Sequence, residues 1–572
     1  MKMRLNNKLF KGTRASWYVL LAASLLGTSC KKQLDVKNPN DPTFGVNVAN
    51  EAGLASYAKG SIYWNGFAYG NGWLGDSYFS LPWGYHELMG DAIGGGQGSN
   101  NQTTTMGVPD SFVADPTNAA ATTFTNTSPQ ASSIIRSFNN SASTGQGNNA
   151  LIYEWKSMYA MINSANTILE VLPSISLTTD KVNAVKAWAY WWKGYAYAQI
   201  GTLYYAGLIY DQAGSAGPQN VYVSQDKIIA ESNKQLNLAL TTLNAVSNES
   251  DYLAMMSQLI PGQNQVGLGG ALTKAHFIAT VNTMLARNIV LNKLSPFVNG
   301  NPSATIAKAS IGTMTAADWN QVLTYTTAGV KQGFNVFTGR TASSNSFFSA
   351  NGGSVAGMCA FSNQSTTYKV SERLVSSFKT GDKRLGNFST ANGTFYGDAN
   401  TNSTRYTLVD FDIAGLSGFK TLGTRAVGKL EIYIGPTYEE NALMAAEANI
   451  RTGNIEAGLA LIDQVRNYQG AGVAAVAGTG LTLAQALTEL TKERYAALAF
   501  RGLSFFDARR WGWTYSTANG GGRYGATLIF NRVVYTNATI NYNFMDYWDV
   551  PGDEIEKNAP ATGSAAVKNP NF

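Results

Sequence analysis

The chain has 572 residues, of which 44% are apolar and only 14% charged, so it can bury a large hydrophobic core. Its formal charge is +6, but Lys2, Arg4, Lys8, Lys11 and Arg14 supply five of those charges, and the near-neutral remainder gives no electrostatic case for a nucleic-acid partner. Two histidines argue against a His-rich metal site and two cysteines against a disulfide framework, whereas 12 Trp, 29 Tyr and 25 Phe make aromatic surface the abundant chemistry.

The first thirty residues read as a secretory leader. A cationic start is followed by an apolar-to-small run from Trp17 to Leu26, then Gly27, Thr28, Ser29 and Cys30. About ten residues of helix reach roughly 15 Å, half of a bilayer core of roughly 30 Å, so the run exports rather than spans. A cysteine placed directly after small residues predicts lipoprotein cleavage, with Cys30 acylated. Residues 1–29 are then a signal peptide, and Cys359 is left as a small apolar residue without a disulfide partner. Leu26 stands four residues before Cys30, one earlier than usual for such a cleavage box. Residues 30–50, with Asn38-Pro39-Asn40-Asp41-Pro42, form a polar tether.

From residue 51 onward the pattern predicts one body. Residues 51–60 fit a short helix. Residues 61–98 alternate aromatics with glycines and hold no helical period, and 99–149 form an uncharged Asn/Ser/Thr/Gly-rich stretch expected to be surface loop. Helices are predicted over Glu154–Leu172, Lys181–Tyr205, Lys227–Val246, Thr273–Leu294 and Ala316–Gln332. Residues 333–430 return to irregular chain. A helix pair follows at Tyr438–Arg451 and Ile455–Tyr468, with Gly453 as the stop of the first and Asn454 as the cap of the second. Leu483–Trp511 is a long helical region broken near Gly502, and the remainder reads as loop. Helical hairpins at about 151–332 and 437–513 look like tetratricopeptide pairs, although no 34-residue period runs through the chain.

Five segments in order resemble the SusD/RagB family of outer-membrane nutrient-binding lipoproteins. They are Cys30-Lys31-Lys32-Gln33-Leu34-Asp35-Val36, the helix from Trp155 with Asn163 and Asn166, and Ala442–Ala448 through Arg466. Lys492-Glu493-Arg494-Tyr495 through Phe500-Arg501-Gly502, Phe506-Asp507 and Arg509-Arg510-Trp511 come next, then Tyr547–Ile555 with Asn569-Pro570-Asn571. Two departures are visible: Arg501 stands where an acid is usual, and Val550 replaces an Ile or Leu. The resemblance implies a mainly α SusD-like fold with loop-rich insertions at about 61–149 and 333–430 facing the ligand. It also implies a non-enzymatic lipoprotein of the outer membrane, facing outward, that binds oligosaccharide and delivers it to a SusC-like TonB-dependent transporter. A peptide ligand within the same family is an alternative. A lipid-anchored glycoside hydrolase and a protein-binding scaffold are the competing classes.

The candidate ligand surface is the aromatic-glycine segment, where nine of the 26 residues from Ser61 to His86 are aromatic. A sugar ring offers an apolar C–H face to a flat aromatic ring while neighbouring polar groups bond its hydroxyls. Trp64, Trp73, Trp83 and Tyr85 are the expected stacking residues, and Phe297, in a loop after a helix, could line the same face. Alternatively, these rings are core. His86-Glu87-Leu88-Met89-Gly90 lacks the second histidine of a zinc-protease helix, so neither a metal nor a cofactor is expected. Glu87 and Asp91, four apart, are the pair a glycosidase would need. Arg494, Asp507, Arg509 and Arg510 read as an ion-paired helix face rather than an anion-binding patch.

Overall fold

The computed structural model describes residues 48–62, 82–94, 106–118, 123–125, 135–139, 149–211, 219–260, 270–340, 369–390, 395, 404–408 and 431–572. Cys30, Trp64, Trp73 and Cys359 lie outside the described residues. The architecture is mainly α. Helix α1 (Glu51–Gly60) is capped by Asn50, whose side chain accepts from the Gly53 amide at 2.9 Å. Helix α2 (Pro82–Met89) forms inside the stretch that shows no helical period, because all eight of its residues are buried and none had to be polar.

Five helices then run close to their expected places, joined by one that periodicity does not mark. They are α3 (Ile152–Val171), α4 (Thr179–Leu203), α5 (Gln225–Asn244), α6 (Glu249–Leu259), α7 (Lys274–Leu291) and α8 (Ala316–Thr327). The unmarked one is α6, whose start is set by Asn248 accepting from the Ser250 and Asp251 amides. Helix α4 packs against α3, α5 and α6. That enclosure is why Trp188, Trp191 and Trp192 are fully buried although they point around the helix. Helix α8 ends five residues early, because Thr283 Oγ1 accepts the Val330 amide at 2.9 Å and draws the chain off the axis.

The second irregular stretch holds a short helix, α9 (Glu372–Val375). Helices α10 (Tyr438–Arg451) and α11 (Ile455–Tyr468) have the expected bounds. Gly453 takes φ +93° and ends α10, as the turn requires. Asn454 is at the cap position of α11, but its side chain makes no capping bond. The two helices touch at Gly458, where a Cβ would sit 2.6 Å from the Ala446 carbonyl. Helices α12 (Leu483–Ala497) and α13 (Ser504–Arg510) are separated by a turn in which Phe500 and Gly502 have φ of +61° and +71°. The chain's last helix is α14 (Gly552–Lys557).

Two regions expected to be loop join in one antiparallel sheet. Strands β1 (Ser111–Val113) and β2 (Thr123–Thr125) come from the uncharged N-terminal stretch, and β3 (Arg523–Phe530) and β4 (Val533–Asn541) from the C-terminal remainder. Their order is β3-β4-β1-β2. The β3–β4 hairpin turns on Asn531 and Arg532, both with positive φ, which matches the right-handed strand twist. Phe112, Phe124 and Phe530 pack together over this sheet at centroid distances of 5.0–5.2 Å.

The C-terminal segment ties the halves together. Trp548 exchanges backbone hydrogen bonds with Leu203 and Tyr205 at 2.8 Å each. Arg136 holds Asp549 through two nitrogens and also donates to the Asn569 and Phe572 carbonyls. Asn569 donates to Asp546 and to the Tyr547 carbonyl.

Candidate functional site

Two of the expected stacking residues are in view, and neither presents a ring face. Tyr85 is fully buried, with its ring 6.5 Å from that of Trp548. Trp83 is 5% exposed and borders a small pocket of about 20 Å³, room for one water, with Tyr433, Arg501 and Phe506. A Cβ on Gly502 would lie 2.5 Å from the Trp83 indole nitrogen, so the turn after α12 is pressed onto that ring. The reason is α2 itself: a helix enclosed on all sides turns its aromatics into core.

Glu87 and Asp91 do not form a pair. Asp91 lies beyond the end of α2 at φ +66° and binds Arg373 at 2.6 Å and Arg523 at 2.7 Å. Burial would raise its carboxyl, but the two guanidinium groups bring it below its ordinary value. Glu87 is buried against the turn after α12 and accepts the Leu503 amide at 3.1 Å. Burial pushes its carboxyl up to about 7, against hydrogen bonds from Ser504, Leu503 and Phe500. Among the described residues, no group of three or more His, Cys, Asp or Glu could hold a metal ion.

The arginine-rich C-terminal helices are architecture. Arg494 Nε binds Asp507 at 3.0 Å, and Arg510 joins Asp507 at 2.8 Å to Glu447 at 2.6 Å. Arg509 departs from the ion-paired expectation. It donates to the carbonyls of Thr202, Asp546 and Leu291 at 2.7–2.8 Å and lies over the Tyr547 ring at 4.3 Å. Arg501, the unusual residue in its motif, binds Glu439 at 3.1 Å and covers the Tyr433 ring at 4.5 Å.

An open cleft of about 360 Å³ lies elsewhere, between α12, the residues around α9, the loop after α7 and the edge of β3. Its floor is a stack in which the Arg523 guanidinium lies 4.9 Å from the Trp513 ring and 5.0 Å from that of Tyr495. Trp513 is aimed by its indole N–H, which donates to the Phe297 carbonyl at 2.8 Å, and the Phe297 amide donates back to Trp511. Tyr524 stands on the rim, 36% exposed. It is turned outward by register shifts between Arg523 and Leu528 and by Gly525 at φ +63°. Thr488, Thr491 and Lys492 on α12, with Asn299, Ser376 and Asn537, supply hydrogen-bonding groups around the rings. The arrangement suits a polyhydroxylated ligand that offers an apolar face to an aromatic ring and hydroxyls to amides and alcohols.

Of the residues that line this cleft, sequence reasoning found Phe297. It missed Trp513, two residues past the Arg509-Arg510-Trp511 motif, and Tyr524, in a stretch that reads as loop. A second cavity of about 300 Å³ lies on α3, bordered by Trp155, Tyr159, Tyr210, Asn163 and Glu554. It has fewer hydroxyl- and amide-bearing groups than the cleft.

A family model described as "Starch-binding associating with outer membrane" matches residues 101–264, and the SusD family model matches residues 438–572. Together they cover just over half of the chain. The chain belongs to the SusD/RagB family. Similar solved structures share the SusD-like fold along most of their length. One is a SusD-like carbohydrate binding protein from Bacteroides vulgatus, with TM-score 0.56, 13% identity, and coverage of 90% of this chain and 98% of that one. Another is a structure with xylogluco-oligosaccharide, with TM-score 0.53, 14% identity and coverage of 90% and 99%. A third is surface glycan-binding protein A from Bacteroides fluxus, with TM-score 0.51, 14% identity and coverage of 91% and 98%. No curated protein sequence matches the chain. Among the described residues of this SusD-like chain, no helix is long and apolar enough to cross a membrane.

Proposed function

We propose that this chain is a non-catalytic, lipid-anchored glycan-binding protein of the outer membrane that captures oligosaccharide and delivers it to a TonB-dependent transporter. The observation that carries this reading is the cleft: aromatic rings at its floor and rim, with hydroxyl and amide groups around them. Family membership supports it, as do two structural neighbours named for carbohydrate or glycan binding. Tyr524, Trp513 and Phe297 are the proposed contact residues. Trp64 and Trp73, in the aromatic-glycine segment outside the described residues, remain candidates. Cys30 is the proposed acylation site. Two or more acyl chains, at about 0.8 kcal/mol per buried methylene, would keep the binder at the surface.

The reading is tested by titrating the full chain in mild detergent against an oligosaccharide array, with Tyr524→Ala beside it. Saccharide binding that falls in Tyr524→Ala supports the cleft. Binding to peptides and to no saccharide overturns the glycan reading. The transporter step is tested by co-purification from native outer membranes, where a stoichiometric barrel partner is expected and its absence from an intact preparation rejects that step.

A further inference from the structure

The cleft is charged asymmetrically. Arg373, Lys492 and Arg523 line it, and no carboxylate does so among the described residues. Asp91 lies behind the two arginines and is shared between them, one oxygen to each. Glu372, next to Arg373, is occupied by Arg405 at 2.9 Å. Asp115 reaches the rim only through Asn537, at 3.4 Å, and is held by Thr117 at 2.6 Å. Glu489, one turn from Lys492, is bound by Lys379 and Arg466 at 2.8 Å each. Among the described residues, exposed Lys492 has no acidic partner. The cleft thus carries a positive surplus, centred on Lys492 and backed by two arginines that share one aspartate.

A neutral sugar's hydroxyls accept hydrogen bonds from these groups but gain no attraction between opposite charges. A carboxylate or sulfate on a sugar ring gains a charge-assisted hydrogen bond from the ammonium group, while the ring still stacks on Tyr524 or Trp513. Low-dielectric cleft walls focus the field on an incoming anion. We infer that the cleft selects acidic oligosaccharides, those bearing uronate or sulfate groups, with Lys492 as the residue that sets the selectivity. This inference rests on the glycan reading of the same cleft.

The test uses the full chain in detergent and a length-matched array of uronate, sulfated and neutral oligosaccharides, including an oligogalacturonate and its methyl ester. The two galacturonates share ring shape and differ in charge. The acidic form should bind about tenfold more tightly than the ester in dilute buffer, and the gap should narrow toward 0.5 M salt as screening shortens to a few ångströms. Lys492→Met keeps most of the aliphatic stem and should remove the preference, while Lys492→Arg retains it. Two outcomes overturn the charge inference alone and leave the glycan reading standing: neutral saccharides bind at least as well and lose affinity in Tyr524→Ala, or acidic binding ignores Lys492→Met. If no saccharide of either kind binds, both readings fall.

Discussion

Two aromatic regions of this chain have opposite fates. Trp83 and Tyr85 lie in α2, within a glycine-spaced segment that looks exposed, and both are core. Trp513 and Tyr524 follow α13 in a stretch that looks unremarkable, and they floor and rim the open cleft. Ring content does not separate them. What does is the element that carries each ring: a helix packed on every side hides its rings, whereas a post-helix turn and a bulged strand edge hold theirs against solvent.

The largest effects are expected on the buried side of this contrast. Glu447→Ala leaves Arg510 with Asp507 alone and takes from Arg451 its nearby carboxylate at a buried site, and breaking such a pair costs about 3–5 kcal/mol, read as a drop in the denaturation midpoint. Tyr85→Ala should cost about 3–5 kcal/mol through the cavity it leaves, with the surviving folded protein binding ligand as the parent does. Weakened ligand affinity in folded Tyr85→Ala would break the division between core and cleft.

An intermediate effect is expected at Glu87. Its carboxyl titrates near 7 when folded against an ordinary 4.5, so the folded state holds the proton more tightly. Stability from this group is therefore present at low pH and lost as pH rises from about 4.5 to about 7. Glu87→Gln keeps an acceptor for the Leu503 amide and removes the slope. It should be more stable than the parent above pH 7 by roughly 3 kcal/mol, with no such gain below pH 4.5. Parallel pH–stability curves for the two proteins would reject the buried titration.

The smallest stability effect and the clearest binding effect belong to the rim. Tyr524→Ala should leave the unfolding midpoint within about 0.5 kcal/mol, since the ring is exposed. It should weaken oligosaccharide binding by about 1 kcal/mol, roughly fivefold, the worth of one stacking contact. Calorimetric titration beside a melting curve reads both. A destabilised variant with unchanged affinity would place Tyr524 with the core residues.

The helical scaffold was largely legible in the sequence. Helices α10 and α11 have the expected bounds because amphipathic period, small residues and the Gly453 stop all agree. Helix α2 was not legible, since full burial erases the polar face that periodicity needs. The β3–β4 hairpin was missed because Asn531-Arg532 lacks the Asn-Gly or Asp-Gly signature, although both residues adopt the positive φ such a turn demands. Strand β1 was missed for another reason: it finds its partner β4 more than four hundred residues away, and no local pattern records that pairing.

The same division holds for the site. By itself the sequence determined that the chain is a helical, aromatic-rich member of the SusD/RagB type, because helix period, caps and motif order are local properties. Which rings face solvent was decided only by the tertiary structure. Phe297, Tyr495, Trp513 and Tyr524 come from four separate stretches of chain and meet only when the loop after α7, helix α12, the turn after α13 and the bulged strand are packed together. The charge of the cleft was decided there too, because Asp91, remote from both in sequence, is shared by Arg373 and Arg523 while the exposed Lys492 lines the same cleft.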